Sequence, residues 1–503
     1  MSSIVGAVLL LAICVWVLRI ILRGLTGPLS KVPGPWYLRF TALPLKLATI
    51  KGRQIYFIEA LHQKYGDTVV VAPNQLDTRD PYMFREVHRH GNGFRKSNWY
   101  KLFAGYYDAN EGNYSLFLLT DPKLHAIRRK LMARAFSKSE IRKNWEEEIK
   151  RKVEFAVTRM QQDASADPNG EVDIQKWWVL MAADVSSMIT FGESFNSLQA
   201  GEKDIFLEAI ERIGKINGIC AEFPILNALK NVPLPFVRKF FSIQSSAMEF
   251  ANRTVENSRK HGTTGAGNIF TGILAEAEKS ESYLSDIVLT REARSLIIAG
   301  TDTTAISLTS LVWCVLSRPQ LHQNILDELR EAKQARSTSG DDGMGEELSD
   351  EQLEQLPILN AAISETLRLY GAAPGALPRI PVQGGVTIGG LYVPDSVTVS
   401  TQAWSLHRHP GLWENPEDFD IQRWLRSAEM PEATKISFNP FGAGGRVCLG
   451  RHIADMELRY AAAMFFTRYP EAKLAPSTNC DTMRPEYFFT IFPRTRQCPV
   501  KLC

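Results

Sequence analysis

The segment Phe438–Gly450, FNPFGAGGRVCLG, sets Cys448 among the glycines Gly442, Gly444, Gly445 and Gly450, with Arg446 two residues before it. An isolated cysteine in a large chain usually serves as a small apolar filler. These surroundings argue for chemistry instead. A thiolate is a soft, strong donor to a transition metal, and its pKa falls at a helix N-terminus or beside an arginine. Apolar residues at Leu449, Ile453, Met456 and Tyr460 predict a helix beginning at Leu449, whose amides and dipole point back at the sulfur. The glycines leave room for a flat, bulky partner and supply the dihedrals of a tight loop.

One cysteine cannot hold an iron–sulfur cluster or a structural zinc, which need about four ligands. The other cysteines, Cys14, Cys220, Cys314, Cys480, Cys498 and Cys503, are scattered without a CxxC pair, the pattern of reduced thiols facing the cytosol. A single thiolate in a glycine-lined loop suits the proximal side of a haem. The spacing F-G-x-G-x-R-x-C-x-G fixes six positions. At about 5% usage each, its chance occurrence in such a chain is on the order of one in a hundred thousand. It is the haem-ligand signature of the cytochrome P450 family, which the sequence resembles in motif order from Pro33 to Gly450.

Two further motifs carry the resemblance. In ISETLRLY, Glu365 and Arg368 stand one helical turn apart, a spacing that on a surface contributes only about 0.2–0.5 kcal/mol. In the family this ExxR pair is buried and engages an arginine of a later P-x-x-F-x-P-x-R-W segment. PEDFDIQRW, Pro416 to Trp424, matches it, with Ile421 where the family usually has proline, so Arg423 closes a triad. Guanidinium forks bind carboxylates bidentately, which lets Glu365 hold both arginines. LIIAGTDTTAIS reads as the interior of a long apolar helix from about Leu289 to Ser317. Gly300 costs such a helix about 1 kcal/mol relative to alanine. With Ala299 it clears space against the helix, at a local bulge, and Asp302 and Thr303 place an acid and an alcohol beside that space. By resemblance AGTDTT is the oxygen-activation motif, with Thr303 as hydrogen-bonding alcohol and Asp302 as the acid of the proton path.

The resemblance also implies the cofactor contacts. Cys448 is the axial ligand of haem b; Phe441, Gly442 and Gly450 belong to its loop; Gly300 lies on the opposite helix. Arg446, Arg379 in ALPRIP and Arg129 in HAIRRKL are candidates for the propionates. The family's W-x-x-x-R places a tryptophan where this chain has His125, which can donate to a propionate or serve as an ordinary surface or core residue.

The 503 residues are 45% apolar and 22% charged, a globular composition. The 58 Lys and Arg nearly match 55 Asp and Glu and are dispersed, so nothing points to nucleic acid. Ile4 to Leu22 is apolar except for Arg19, long enough to cross a bilayer as a helix, and is followed by Arg23 and Lys31. That predicts an anchor with the body of the protein in the cytosol. Residues 1–27 read as the anchor, 28–40 as a proline-rich hinge around VPGPW, and 41–503 as one catalytic domain. Asp67 to Thr78 predicts a hairpin and Gly384 to Trp404 a second strand region. Helical periodicity covers Asp121 to Leu329, Pro357 to Tyr370 and Leu449 to Tyr469, broken by polar loops at Asp163 to Gly170, Asn257 to Gly267 and Ser337 to Asp350. The fold class is mainly α with small β-sheets (α+β).

The activity implied by the resemblance is a haem-thiolate monooxygenase that inserts one oxygen of O2 into a substrate, or desaturates it, with electrons from NADPH. No G-x-G-x-x-G after a strand and no flavin segment is visible. A membrane-bound NADPH–cytochrome P450 reductase is therefore the implied partner, with cytochrome b5 as an optional one, at the endoplasmic reticulum membrane. A redox-neutral isomerase or dehydratase tends to lack the acid and alcohol, and a non-catalytic haem sensor does not need them. By family position the substrate meets roughly Trp99 to Leu119, Ala299 to Thr303, Ala372 to Leu377 and Phe488 to Phe492. Aromatics crowd the first and last of these, which suits a flat apolar ligand and equally suits core packing. VPGPWYLRFTALP and HRHPGLWENPEDF resemble fungal microsomal enzymes of secondary metabolism, and the aromatic bias favours a polyketide-derived polycycle.

Overall fold

The computed structural model describes residues 2–203, 205–228, 268–280, 284–338 and 347–502. The chain divides into two compact units, one comprising Met1–Trp99, Gly375–Pro416 and Glu432–Arg446, the other Tyr100–Pro374, Glu417–Pro431 and Val447–Cys503.

β-Branched runs build the first unit. Thr68–Ala72 and Gln75–Thr78 pair antiparallel across Pro73 and Asn74, the expected hairpin. The sheet continues through Thr398–Ser400, Arg379–Pro381 and Phe94–Lys96. Val69, Val70 and Val71 are all buried, so both faces of the hairpin are covered, in part by Ile58 and Leu61 of the helix Gln54–Tyr65. The second strand region splits: Val386–Ile388 and Leu391–Val393 form their own hairpin, and only Thr398–Ser400 joins the large sheet. Pro33 breaks helix, and its carbonyl accepts the Val70 amide at 2.8 Å, tying the proline-rich turn to the sheet. Before it, Ser2–Thr26 is one helix; the most apolar part of its Ile4–Thr26 stretch has mean hydropathy 2.8 and is not buried. The helix suits a membrane anchor.

The second unit is helical. Its axis is Asp286–Leu316, started by the Ser285 hydroxyl, which accepts the Val288 amide. This helix is also apolar enough to span a bilayer, but two-thirds of its most apolar stretch is buried. It packs against Ile174–Phe191, Pro357–Tyr370 and Arg451–Arg468. Burial on several sides explains why it is apolar nearly all round. Of the three polar breaks, 257–267 and most of 337–350 lie outside the described residues. The third is shorter than expected. Helix Lys138–Ala166 runs on past Asp163, whose carboxylate accepts from Lys176 and Trp177 of the helix Ile174–Phe191. Cys14, Cys220, Cys314, Cys448, Cys480 and Cys498 are free thiols.

The turn Gly444–Arg446 closes the first unit, and here glycine is obligatory. Gly444 has φ +62°, and a Cβ on it would stand 2.0 Å from the His88 carbonyl oxygen. Gly444→Ala is expected to cost about 2–4 kcal/mol from left-handed strain plus overpacking. Urea unfolding that leaves the midpoint unchanged would contradict this.

Candidate functional site

Val447, Cys448 and Leu449 enter the second unit just before the helix Arg451–Arg468. That helix begins two residues later than the periodicity suggests. Gly450 is its N-cap, and the Gly450 carbonyl accepts the amides of Ile453 and Ala454 at 3.1 Å each. The Cys448 side chain is exposed. Its thiol pKa is raised, against expectation: crowding by protein outweighs the downward pull of the Gly450 amide, Arg129 and Arg451, while Asp455 adds to the rise. The helix N-terminus and the arginines therefore do not suffice to hold a thiolate. A cationic iron bound at this sulfur would supply the missing charge, because a coordinating thiol is deprotonated outright.

Arg129 donates from Nη1 to the Val447 carbonyl at 2.9 Å, holding the peptide next to the cysteine. Burial lowers its pKa and the neighbouring Cys448 opposes that shift. Its sequence neighbour Arg128 is spent elsewhere, on Glu292 at 2.7 Å. His125 is buried one turn before Arg129 on the helix Pro122–Ala133. Arg379, Phe441, Gly442 and Arg446 belong to the first unit. There Arg379 is buried in its strand and, after burial itself, is the charge that holds His88 below the usual histidine range. Gly442 has φ +73°.

Gly450 tests whether the loop fits a haem. Its φ of −83° suits any residue, and a Cβ there would meet nothing within 4 Å. The protein itself does not demand glycine, so the clearance suits a bound ring. Among the described residues no three His, Cys, Asp or Glu side chains cluster to hold a bare metal ion. A lone thiolate donor fits an iron that brings its own macrocyclic nitrogens.

Glu365 lies fully buried on Pro357–Tyr370. It accepts from Arg368 Nε and Nη2 at 2.8 Å each and from Arg423 Nε at 3.2 Å, which brings the three motif residues together. Two further donors join them, each at 2.9 Å: Nε1 of Trp424, the last residue of the PEDFDIQRW segment, and the Asp420 amide, whose backbone role no residue type signals. Ile421 takes an αR conformation before the short helix Gln422–Leu425, so the turn forms without proline. Burial pushes the Glu365 pKa up, but the Arg368 fork and the other donors overcome it and the net shift is downward. The stability it contributes is present above the ordinary glutamate pKa and is lost as pH falls through the depressed value.

On the axial helix, Asp286–Leu316 is α-helical throughout, so no bulge opens at Gly300. A Cβ on Gly300 would sit 2.3 Å from Ser186 Oγ. Close approach of the helix Ile174–Phe191 is therefore one reason for the glycine, and Ala299, not Gly300, is the exposed small residue. Thr303 is part-exposed, and its hydroxyl donates to the Ala299 carbonyl at 2.6 Å. Asp302 is buried, with Oδ1 lacking a hydrogen-bond partner. Burial, reinforced by Glu211 and opposed by Arg496 and Lys203, moves its pKa up to about 7. Next to it the Thr304 hydroxyl donates at 3.0 Å to Glu457, a carboxyl that burial raises to about 8 and whose Oε1 has no partner. Sequence reasoning missed Glu457, which lies on the helix after the cysteine and enters no motif considered above.

A family profile for cytochrome P450 matches residues 31–494, and the chain belongs to that family. It is a haem-thiolate monooxygenase, an oxidoreductase of the kind found in fungal secondary metabolism. It is 38% identical over 496 residues to cytochrome P450 monooxygenase aflV of Aspergillus parasiticus, covering 97% of this chain and 94% of that protein. It is 38% identical to cytochrome P450 monooxygenase stcB of Emericella nidulans, covering 94% of this chain and 89% of the relative. It is 37% identical to cytochrome P450 monooxygenase cypX of Dothistroma septosporum, covering 97% of this chain and 93% of the relative. The crystal structure of the cytochrome P450DA heme domain shares the fold, with TM-score 0.72 and 18% identity over 90% of this chain and 93% of that one.

Replacing Glu365 by Gln removes the charge between two buried guanidinium groups and is expected to cost about 3–5 kcal/mol, with loss of haem retention. Thermal unfolding and the haem-to-protein absorbance ratio check this. Glu457 binds a proton in the folded state up to about pH 8, so its burial cost grows as pH rises from its unfolded pKa of 4.5 to that value. Glu457→Gln should match wild-type Tm near pH 5 and exceed it by a few degrees at pH 8.5. Equal differences at the two pH values would contradict the assignment.

Proposed function

We propose that the chain oxidises an apolar aromatic polycycle of fungal secondary metabolism, such as a polyketide, by hydroxylation or desaturation. Bound haem supplies thiolate-supported activation of O2, which the protein alone cannot perform. Cys448 holds the iron; Arg129, Arg379, Arg446 and His125 serve the propionates; Phe441, Gly442, Gly450 and Gly300 shape the faces. Glu365, Arg368 and Arg423 keep the region before the loop in place.

The observation that carries the reading is Asp302, a buried carboxyl with one unpaired oxygen, poised near neutral pH beside the part-exposed Thr303 hydroxyl. A redox-neutral rearrangement or a sensor has no use for a titrating proton donor there. The carboxyl holds a proton below about pH 7 and releases it above, so it can be both delivered and replaced. Thr303 orients that proton towards the space beside Ala299.

Aromatic side chains support a flat ligand only in part. Tyr100, Tyr114, Tyr487, Phe488 and Phe492 are buried and read as core. Phe103, Phe117 and Phe489 are part-buried and mutually packed, with Phe103 and Phe489 rings 4.8 Å apart, and Phe489 holds φ +92°. A bulky residue kept in that region is strained, a feature that clusters at ligand sites.

Electrons come from NADPH through a membrane-bound reductase, with cytochrome b5 as an optional donor. Residues 1–27 anchor the protein in the endoplasmic reticulum membrane, 28–40 form the hinge, and 41–503 form the cytosolic catalytic domain. Exposed Trp36, Leu43 and Leu47 next to the anchor support contact with the bilayer.

The reduced carbon monoxide complex should show the red-shifted Soret band of a thiolate ligand, and Cys448→Ser should abolish it. An unchanged spectrum in that variant would sink the ligand assignment. With reductase and NADPH, Asp302→Asn is expected to lower product formation about 100-fold or more. It should also remove the fall in wild-type rate as pH rises through about 7, a profile that a purely structural aspartate would not produce.

A further inference from the structure

The first 58 residues contain no Asp or Glu, while seven cations fall among them: Arg19, Arg23, Lys31, Arg39, Lys46, Lys51 and Arg53. Since the whole chain carries a formal +3, this stretch is +7 and the remainder −4. Such an asymmetry marks a segment that meets an anionic surface.

The same stretch carries an apolar face with nothing on it. In the helix Leu43–Ile50, Leu45 and Thr49 are buried, and Leu45 joins the core with Leu38, Ile58 and Leu61. Leu43, Leu47 and Ile50 are exposed. At about 100° per residue these three fall within an arc of about 60°, with the buried pair on the far side. Single exposed apolar side chains need no explanation, but an aligned set beside a membrane anchor does.

The helix is also tied to the end of that anchor. Among residues 4–26 Gly24 alone is buried, and a Cβ on it would stand 2.2 Å from Cε1 of the Phe40 ring. Phe40, three residues before Leu43, is packed in turn by Trp36, whose ring centroid lies 6.1 Å away and which is itself 72% exposed. An exposed tryptophan at the end of a spanning helix is the usual occupant of the headgroup layer. Arg39 Nη2 donates to the Val32 carbonyl at 3.2 Å and closes the turn between them. The stripe is therefore braced close to the bilayer and does not swing on a loose tether.

We propose that the helix Leu43–Ile50 is a second membrane contact, selective for anionic lipid. Leu43, Leu47 and Ile50 enter the headgroup layer, and the exposed cations Lys31, Lys51 and Arg53 meet the lipid phosphates and carboxylates. This rests on the anchor reading above and adds the face that touches the bilayer and the lipid charge it selects. Long basic side chains keep their heads at the phosphate level while their stems follow apolar surface. Three apolar residues are too few to hold a protein on a membrane unaided, so the contact works only because the braced anchor keeps it there.

The haem-loaded full chain carrying Leu47→Cys tests this. It is inserted into nanodiscs of phosphatidylcholine, or of phosphatidylcholine with about 30% phosphatidylserine. Labelling by a water-soluble polyethylene-glycol maleimide is timed against the native exposed Cys480, and peptide mass spectrometry separates the two sites. The Leu47→Cys rate relative to Cys480 should be at least fivefold lower in the anionic discs. Adding Lys51→Gln and Arg53→Gln should bring the two lipids within twofold while leaving the carbon monoxide spectrum unchanged. Should Leu47→Cys fail to fold, Ile50→Cys reads the same stripe. Equal relative rates in the two lipids, or an undiminished difference in the charge variant, overturn the anionic contact and leave the anchor reading standing. Failure of the wild-type chain to enter discs of either composition overturns both.

Discussion

One buried carboxylate organises the helical unit. Glu365 is wholly withdrawn from water, yet it stays ionised because two guanidinium groups, an indole and a backbone amide all donate to it. Removing a carboxylate from water costs several kcal/mol unless its lone pairs are filled, and here both oxygens are. The charge must be satisfied from both sides, so the helix that carries it cannot shift relative to the segment from Asp418 to Trp424. Such an arrangement specifies one geometry more than it adds stability. That geometry suits a segment lying shortly before the cysteine loop.

Other buried acids in the same unit receive the opposite treatment. Asp302 and Glu457 each keep an oxygen without a partner, and burial raises both pKa values towards or above neutrality. The contrast with Glu365 is one of hydrogen-bond supply, since all three are deeply buried. Where donors converge, the carboxyl stays ionised; where they are withheld, burial keeps the proton on to a higher pH.

Much of this was legible in the linear sequence. Residue type and spacing singled out Cys448, Glu365 with Arg368, and Asp302 with Thr303, while the resemblance to the family added Arg423 to the pair and gave these motifs their implied roles. The hairpin at Thr68–Thr78 was legible because β-branched residues flank a proline–asparagine turn. Less legible were features set by distant partners. The glycine at 300 looked like clearance for a small molecule, but it also admits Ser186 from another helix. The thiol of Cys448 looked activated by local charge, yet desolvation by the surrounding chain prevails. The aromatic segments could not be sorted into core and lining until burial separated Tyr100 and Phe488 from Phe103 and Phe489.

The sequence by itself determined the motifs by which the chain resembles its family, their order, and the N-terminal apolar helix. These are patterns of residue type and separation within short stretches of the chain. Tertiary structure alone decided which charges are paired. Arg128 and Arg129 are adjacent and chemically identical, but one meets Glu292 and the other the Val447 carbonyl. Arg291 and Arg294 are one turn apart, but Asp108 reaches only the first. A linear pattern states which groups can ionise; the dielectric around each, and the partner within 3 Å of it, are set by segments far away in the chain.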